Sequence, residues 1–266
     1  MKKLCLSRLL APPRGYTLAC CLAAAGVPAN ALGATITQWS FNTTIGANNA
    51  PAPSTGAGSA TPVGMNGGAN NADIVVASGI TPSSDPGVPN NAWRVRGSNA
   101  NGWSGTTQLL SGAQFNASTA GASNIVASFD IQATDGSSRY GQFQYTVDGA
   151  SFTSFGPLLD FNTTFDGWAP FSFDLSSVPA ANNNSLFGFK LVSAFSPVEF
   201  ANANGVQPAN TAFQRASATS TVYNGTAGNW RFDMVTVSSV PEPSSLVAGV
   251  LATLGLALAR SHRRTA

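Results

Sequence analysis

Cysteine and histidine are nearly absent from this 266-residue chain, and their positions exclude several kinds of chemistry. The three cysteines all lie within the first 21 residues, and the single histidine is His262. Residues 35–239, called the body below, therefore contain no disulfide, no thiolate zinc site and no cysteine nucleophile. A serine–histidine catalytic arrangement is excluded from the body for the same reason.

Charged residues are also scarce, at 9% of the sequence, and the formal net charge is +2. The positive charge belongs to the two ends: residues 1–34 carry four basic residues and no acid, and residues 240–266 carry three arginines against Glu242. The body is left with six basic and ten acidic residues. A mildly acidic body argues against a nucleic-acid partner.

Long hydrophobic runs are likewise confined to the ends. The first 34 residues have the layout of a secretory signal peptide, with a basic stretch, an apolar run at 16–27 and small residues at Ala29 and Ala31. Secretion machinery would then export the body through the inner membrane. An uncleaved anchor helix is the alternative, although the run is short for a bilayer.

A second apolar run occupies residues 244–259, which contain no charged residue. It is slightly shorter than the roughly 17–25 residues of a typical spanning helix, so we expect a weak transmembrane helix. Arg260, Arg263 and Arg264 follow it directly. By the positive-inside rule these arginines stay in the cytoplasm, which places the body on the outer side of the membrane.

Between the body and this run lies Val240-Pro241-Glu242-Pro243. Each proline fixes its own φ angle and biases the preceding residue toward an extended backbone. The segment is therefore predicted to be extended and accessible, as a protease requires. A stiff spacer between domain and anchor is the alternative interpretation.

The order of these three parts resembles the PEP-CTERM sorting signal of bacterial surface proteins. In this resemblance Val240, Pro241, Glu242 and Pro243 match the motif, residues 244–259 the helix, and Arg260, Arg263 and Arg264 the basic end. The resemblance covers residues 240–266 only. It implies recognition by a membrane-embedded exosortase, cleavage near the motif, and delivery to the cell surface alongside exopolysaccharide.

The body shows repeated period-2 alternation, which is typical of antiparallel strands with one buried face. The segments 124–132, 142–147, 170–175, 186–191 and 229–237 each alternate apolar and polar residues. In the last segment Trp230, Phe232 and Met234 are predicted to share the buried face. The fold class predicted is all-β, a single antiparallel sandwich, jelly-roll-like, flanked by the signal helix and the transmembrane helix.

Turn signals and composition add three expectations. The dipeptides Asp135-Gly136 and Asp148-Gly149 predict hairpins. The segments 36–42 and 230–238 are expected to pair as first and last strands, which would bring the ends of the body together. Residues 47–71, rich in Pro, Gly, Ala, Asn and Ser, are predicted to form a long flexible loop.

No catalytic residue is predicted. Asp130, Asp174 and Asp233 lie mid-strand and are expected on solvated faces. An aspartate pair for glycoside hydrolysis stays an alternative, because that reaction needs only two carboxylates. No cofactor is predicted, and a calcium site on loop oxygens stays open although the sequence has no EF-hand spacing.

Tryptophans give the remaining hint. Trp103 and Trp168 are expected in loops or at strand ends, where an indole could stack on a sugar, and the alternative is that they close the ends of the core. The leading hypothesis is a non-catalytic, exported surface or matrix protein with a removable tail. The second is a carbohydrate-binding sandwich associated with exopolysaccharide.

Overall fold

Strands dominate the computed structural model, which describes residues 34–64, 72–96, 107–134, 136–164, 166–197, 214, 216 and 228–240. The strands are β1 (Ala34–Trp39), β2 (Gly46–Ala47), β3 (Gly58–Val63), β4 (Ala72–Val76), β5 (Asn91–Val95), β6 (Gly112–Ala117), β7 (Ile125–Ala133), β8 (Tyr140–Thr146), β9 (Thr153–Ser154), β10 (Leu159–Asp160), β11 (Ala169–Asp174), β12 (Gly188–Ala194) and β13 (Trp230–Ser239). Two short 3₁₀ helices, Phe161–Thr164 and Pro179–Ala181, precede β11 and β12.

These strands form two antiparallel sheets. The first sheet has the order β11-β7-β13-β5-β4-β2, with β1 also paired to β13, and the second has the order β10-β8-β12-β6-β3, with β9 also paired to β8. From β5 to β8, and again from β11 to β13, successive strands alternate between the sheets. The predicted all-β antiparallel sandwich is confirmed, and the jelly-roll-like arrangement stays a prediction.

The last strand, β13, lies inside the first sheet. One side of β13 pairs with β7 along its length, and the other side pairs first with β5 and then with β1. Ala34 lies opposite Ser239. The predicted pairing of the first and last strands is therefore confirmed.

A β-bulge interrupts β13 at Met234. Asp233 pairs with Asp130 and Thr236 pairs with Ser128, so two residues of β13 face one residue of β7. Met234 has φ 46°, and the Thr236 hydroxyl donates a hydrogen bond to its carbonyl at 2.9 Å. The predicted alternation is thus wrong at this point, because Val235 and Val237 are buried while Met234 is only half-buried.

Aromatic rings from both sheets fill the space between them. Phe115 of β6 contacts Trp93 of β5 and Phe232 of β13 in the opposite sheet, with centroid distances of 5.7 and 5.6 Å. Phe143 of β8 stacks on Phe173 of β11 at 3.9 Å. The apolar positions predicted for β7, β8, β11 and β12 all face this core.

The two Asp-Gly dipeptides have different outcomes. Asp148 Oδ1 accepts the backbone N–H groups of Ala150 and Ser151, which holds the pKa of Asp148 well below its usual range, and β8 pairs with β9 as a hairpin. At Gly136 (φ 82°) the turn instead connects β7 in the first sheet to β8 in the second. A local turn signal does not determine which sheet the next strand joins, so the hairpin predicted there is wrong.

The predicted flexible loop at 47–71 is corrected for part of its length. Residues 58–63 form β3, where Ala60 is buried against the core and Pro62 pairs opposite Ala113. β3 is an edge strand, where a residue without an N–H is tolerated. Residues 65–71 lie outside the described residues.

Replacing Phe115 by Ala is expected to lower the free energy of unfolding by about 3 to 5 kcal/mol, because it opens a cavity between four packed aromatic neighbours. Leu110, which is half-exposed, serves as the control. Thermal and urea denaturation would measure both variants. Equal, small losses for Phe115→Ala and Leu110→Ala would contradict this description of the core.

Candidate functional site

The predicted sorting motif begins where the described residues end. Val240 is 43% exposed, its N–H donates to the Asn124 carbonyl at 3.0 Å, and the Asn124 amide donates back to the Val240 carbonyl at 3.3 Å. The remaining motif residues and the basic end lie outside the described residues, namely Pro241, Glu242, Pro243, Arg260, Arg263 and Arg264. The sorting signal stays a prediction.

The predicted membrane-related segments also lie outside the described residues. These are residues 1–33 of the signal peptide and residues 244–259 of the transmembrane helix. In the part of the chain that the structure does describe, no helix is both long enough and apolar enough to cross a membrane.

The structure describes one of the two tryptophans proposed for sugar stacking. Trp103 lies outside the described residues. Trp168 is only 6% exposed, and its backbone N–H and carbonyl both bond the Thr81 hydroxyl, at 2.8 and 3.1 Å. A ring covered to this extent leaves little surface for stacking on a sugar. The stacking role of Trp168 stays a prediction, as does that of Trp103.

Two of the three aspartates expected on solvated faces are buried in the structure. Asp174 is exposed as predicted, but Asp130 and Asp233 are buried. Both point away from the core, and the loop of residues 77–90 covers them. Ser84 donates its backbone N–H to Asp130 Oδ2 at 2.5 Å, and the Ser83 hydroxyl donates to Asp233 Oδ2 at 2.6 Å.

The same loop is anchored by further polar contacts on the first sheet. The Gln132 amide donates to the Ser78 carbonyl at 2.8 Å, and the Arg231 guanidinium donates to Gln132 Oε1 at 2.8 Å. Asp85, in the loop itself, accepts from the Asn42 amide at 2.7 Å. The outward side chains of Gln132, Arg231 and Asp233 therefore form a hydrogen-bonded base for this loop rather than a solvated surface.

Burial has an electrostatic consequence for Asp233. Loss of water raises its pKa to about 7, and the nearby charges of Asp85 and Asp130 act in the same direction. The hydrogen bonds from Ser83 and the Met234 N–H oppose the shift without cancelling it. Since Asp233 is wholly covered, it is not placed to act on an external glycosidic bond.

Among the described residues, no three or more His, Cys, Asp or Glu side chains form a group that could hold a metal ion. The carboxylates that lie close together are tied to loop N–H and hydroxyl groups instead. The described residues therefore identify no calcium site.

The outer face of the second sheet carries a continuous polar surface. One row crosses five strands in register, from β3 through β6, β12 and β8 to β9. Its members are Thr61, Gln114, Lys190, Gln144 and Ser154. Gln144 is buried and its amide donates to Ser154 Oγ at 3.1 Å, whereas the other four are at least partly exposed. At about 4.8 Å between strands, this row spans roughly 19 Å.

Lys190 is the one cation of this row and sits beside an aromatic ring. Its Nζ lies 4.2 Å from the centroid of Phe152. Partial burial lowers the pKa of Lys190, and the ring partly compensates for the water that the ammonium loses. The row thus combines hydroxyl, amide and ammonium groups with one aromatic edge.

A neighbouring row extends this surface into a groove. The Gln114 amide donates to Asn116 Oδ1 at 3.1 Å, and the Asn116 amide donates to Ser59 Oγ at 3.1 Å. Ser59 and Asn116 also line an open groove of about 380 Å³ that Leu186, which is exposed, borders on one side. We call the row and this groove together the polar face.

Sequence reasoning missed the polar face because its members come from five strands that are far apart in the chain. Each strand showed its polar positions as alternation, for example Gln142 and Gln144 in β8, but alternation does not give register between strands. The covering role of residues 77–90 was missed as well. Its signal was a segment rich in Ser, Pro, Asp and Asn opposite mid-strand carboxylates.

Comparisons with known proteins gave likenesses of fold only. No family model matches the chain, and no curated protein matches it. Solved structures with similar folds include a CBM22-1 xylan-binding domain of Xyn10C from Paenibacillus barcinonensis, at 10% identity and TM-score 0.38, covering 79% of this chain and 97% of that one.

Two further structures are similar at the same level. TmCBM61, solved in complex with β-1,4-galactotriose, shows 9% identity and TM-score 0.32 over 68% of this chain and 88% of that one. SGBP-B, from a complex xyloglucan utilization locus in Bacteroides uniformis, shows 11% identity and TM-score 0.34 over 78% and 66%. With TM-scores this low, none of the three determines what this chain binds.

The pKa of Asp233 predicts a pH-dependent stability. Because the folded pKa of about 7 exceeds the ordinary value of 3.8, the stabilising contribution is complete below about pH 4 and is lost as the pH rises through 7. Between pH 5 and pH 8 the free energy of unfolding should fall by about 2 to 3 kcal/mol.

Asp233→Asn should remove most of this pH dependence of the free energy of unfolding, as measured by urea denaturation. The exposed-site control Asp174→Asn should keep it. An unchanged slope in Asp233→Asn would contradict the assignment.

Proposed function

We propose that this chain is an exported surface protein whose sandwich binds an extended polysaccharide across the polar face of the second sheet. The observation that carries the proposal is the unbroken row of Thr61, Gln114, Lys190, Gln144 and Ser154 over five strands. A row of this length, in which all members except Gln144 are at least partly exposed, suits a polymer better than a single small molecule. The proposal assigns no catalytic step.

The chemistry of the row matches that of a sugar chain. Hydroxyl and amide groups can both donate and accept hydrogen bonds, as sugar hydroxyls do. Phe152 is half-buried and carries the Lys190 ammonium on one side of its ring, and the carbon side of a sugar can pack against the part of the ring that remains exposed. The adjoining groove at Ser59 and Asn116 provides a place where a side branch or a chain end can enter.

The sorting tail is part of the same proposal. The hydrogen bonds between Asn124 and Val240 close the sandwich one residue before Pro241. A cut after Val240 would therefore leave every described strand pair intact. An exosortase that recognises Pro241, Glu242 and Pro243 could release a fully folded body to the cell surface, where exopolysaccharide is the proposed ligand.

Affinity electrophoresis of the full chain in gels containing a panel of polysaccharides, including xylan, galactan and xyloglucan, tests the binding proposal. Gln114→Ala is expected to weaken retardation about five- to tenfold, since one hydrogen bond contributes about 1 kcal/mol. Lys190→Met should weaken it as well. Arg96→Gln, an exposed site on the first sheet, is the control and should bind as the unmodified chain does. Retardation by none of the polymers, or equal retardation of all variants, would refute the proposal.

Mass spectrometry of protein collected from the cell surface tests the sorting proposal. The mature chain is expected to lack residues 1–31 or a few more and to end near 240–243. Glu242→Ala should instead accumulate in the membrane fraction with its tail present, while the control Thr265→Ala is processed normally. Surface protein that still carries Arg260 to Arg264 would rule out cleavage.

A further inference from the structure

A second groove, of about 440 Å³, opens on the outer face of the first sheet. It lies on the opposite side of the sandwich from the polar face and shares no residue with it. Its polar lining comes from Ser84, Ser128, Asp130, Ser172 and Thr236. Pro170 and Met234 contribute apolar surface.

Strand register explains how these side chains come together. Ser172 of β11, Ser128 of β7 and Thr236 of β13 form one row, because Ser128 pairs with both of the others. Pro170 lies opposite Asp130 in the next row of outward-facing side chains. Rows on the same face of a sheet are about 7 Å apart, so the small serines leave a depression beside Asp130.

The walls of the groove are fixed before any ligand arrives. The Ser84 N–H holds Asp130 through Oδ2, and Ser83 is bonded to Asp233, so the 83–84 segment is tied to the sheet at two adjacent points. On the other side, the bulge presents Met234 in a left-handed conformation that side chains rarely adopt. Such conformations persist where the surrounding structure enforces them, and they cluster at binding sites.

Asp130 is the group that gives the groove its chemistry. The side chain is almost fully buried, yet it lines the groove, and its hydrogen bond to Ser84 uses only Oδ2. Oδ1 is left as an acceptor for a ligand. With Asp85 and Asp233 nearby and no basic residue in the lining, the groove disfavours an anion.

From this geometry we infer that the groove binds one neutral sugar residue, whose hydroxyls bond Asp130 Oδ1 and the hydroxyls of Ser128 and Ser172. The apolar side of the ring packs against Pro170 and Met234. A neutral polyol fits because Asp130 Oδ1 accepts hydrogen bonds and the serine hydroxyls both accept and donate them, whereas the Thr236 hydroxyl already donates to the Met234 carbonyl and accepts from the Gln38 amide. This site is independent of the proposed polysaccharide surface on the second sheet.

Saturation-transfer NMR on the full chain tests this site, with the methyl glycosides of glucose, galactose, mannose and xylose as probes and glucuronate as an anionic comparison. We expect saturable binding of at least one neutral glycoside and none of glucuronate. Ser172→Trp, which fills the groove from an exposed edge position, should abolish binding. Ser176→Trp, the same change four residues further on, should not.

Two more variants complete the test. Asp130→Asn should weaken binding about ten- to a hundredfold, the effect of losing hydrogen bonds to a charged group, and Gln114→Ala on the opposite sheet should leave it unchanged. If Asp130→Asn fails to fold, as thermal denaturation would reveal, Ser172→Trp still decides the outcome. Absence of glycoside binding, or binding that survives Ser172→Trp, would overturn the proposal. A calcium-induced shift in melting temperature that disappears in Asp130→Asn would overturn it as well.

Discussion

The structure depends on one strand, β13, being hydrogen-bonded on both sides. β7 flanks it along its length, while β5 and β1 share the other side and meet at the Met234 bulge. The bulge shifts the alternation of β13 by one residue, so that Trp230 and Phe232 face the same core as Val235 and Val237. Loss of this strand would separate β7 from β5 and leave β1 with only the bridge between Gln38 and Thr55.

Similar polar residues differ in burial and hydrogen bonding between the two outer faces of the sandwich. On the first sheet, Gln132 and Asp233 are covered by residues 77–90 and hydrogen-bonded to that loop or to Arg231, and Asp130 is bonded to the loop through Oδ2. On the second sheet, Gln114, Asn116 and Lys190 remain partly accessible, although Gln142 and Gln144 are buried. Alternation alone made both faces look alike, and the difference lies in which loop folds over which sheet.

This contrast shows how much of the fold could be predicted from the sequence. Period-2 patterns identified the core positions of β7, β8, β11 and β12, and the pairing of the first and last strands was predicted correctly. The bulge at Met234, the strand at 58–63 and the burial of Asp130 and Asp233 were not. Each of these depends on contacts between distant segments: Ala60 becomes a core residue only because Phe115 lies beside it in register. The polar face depends on register in the same way.

The pairing of β1 with β13 also governs when the protein can fold. These strands are about 200 residues apart, and a loop of that length must close before either side of β13 gains its full set of partners. A chain emerging from a ribosome has no β13 until nearly all of the body has been synthesised. The first sheet therefore stays incomplete until this last strand appears.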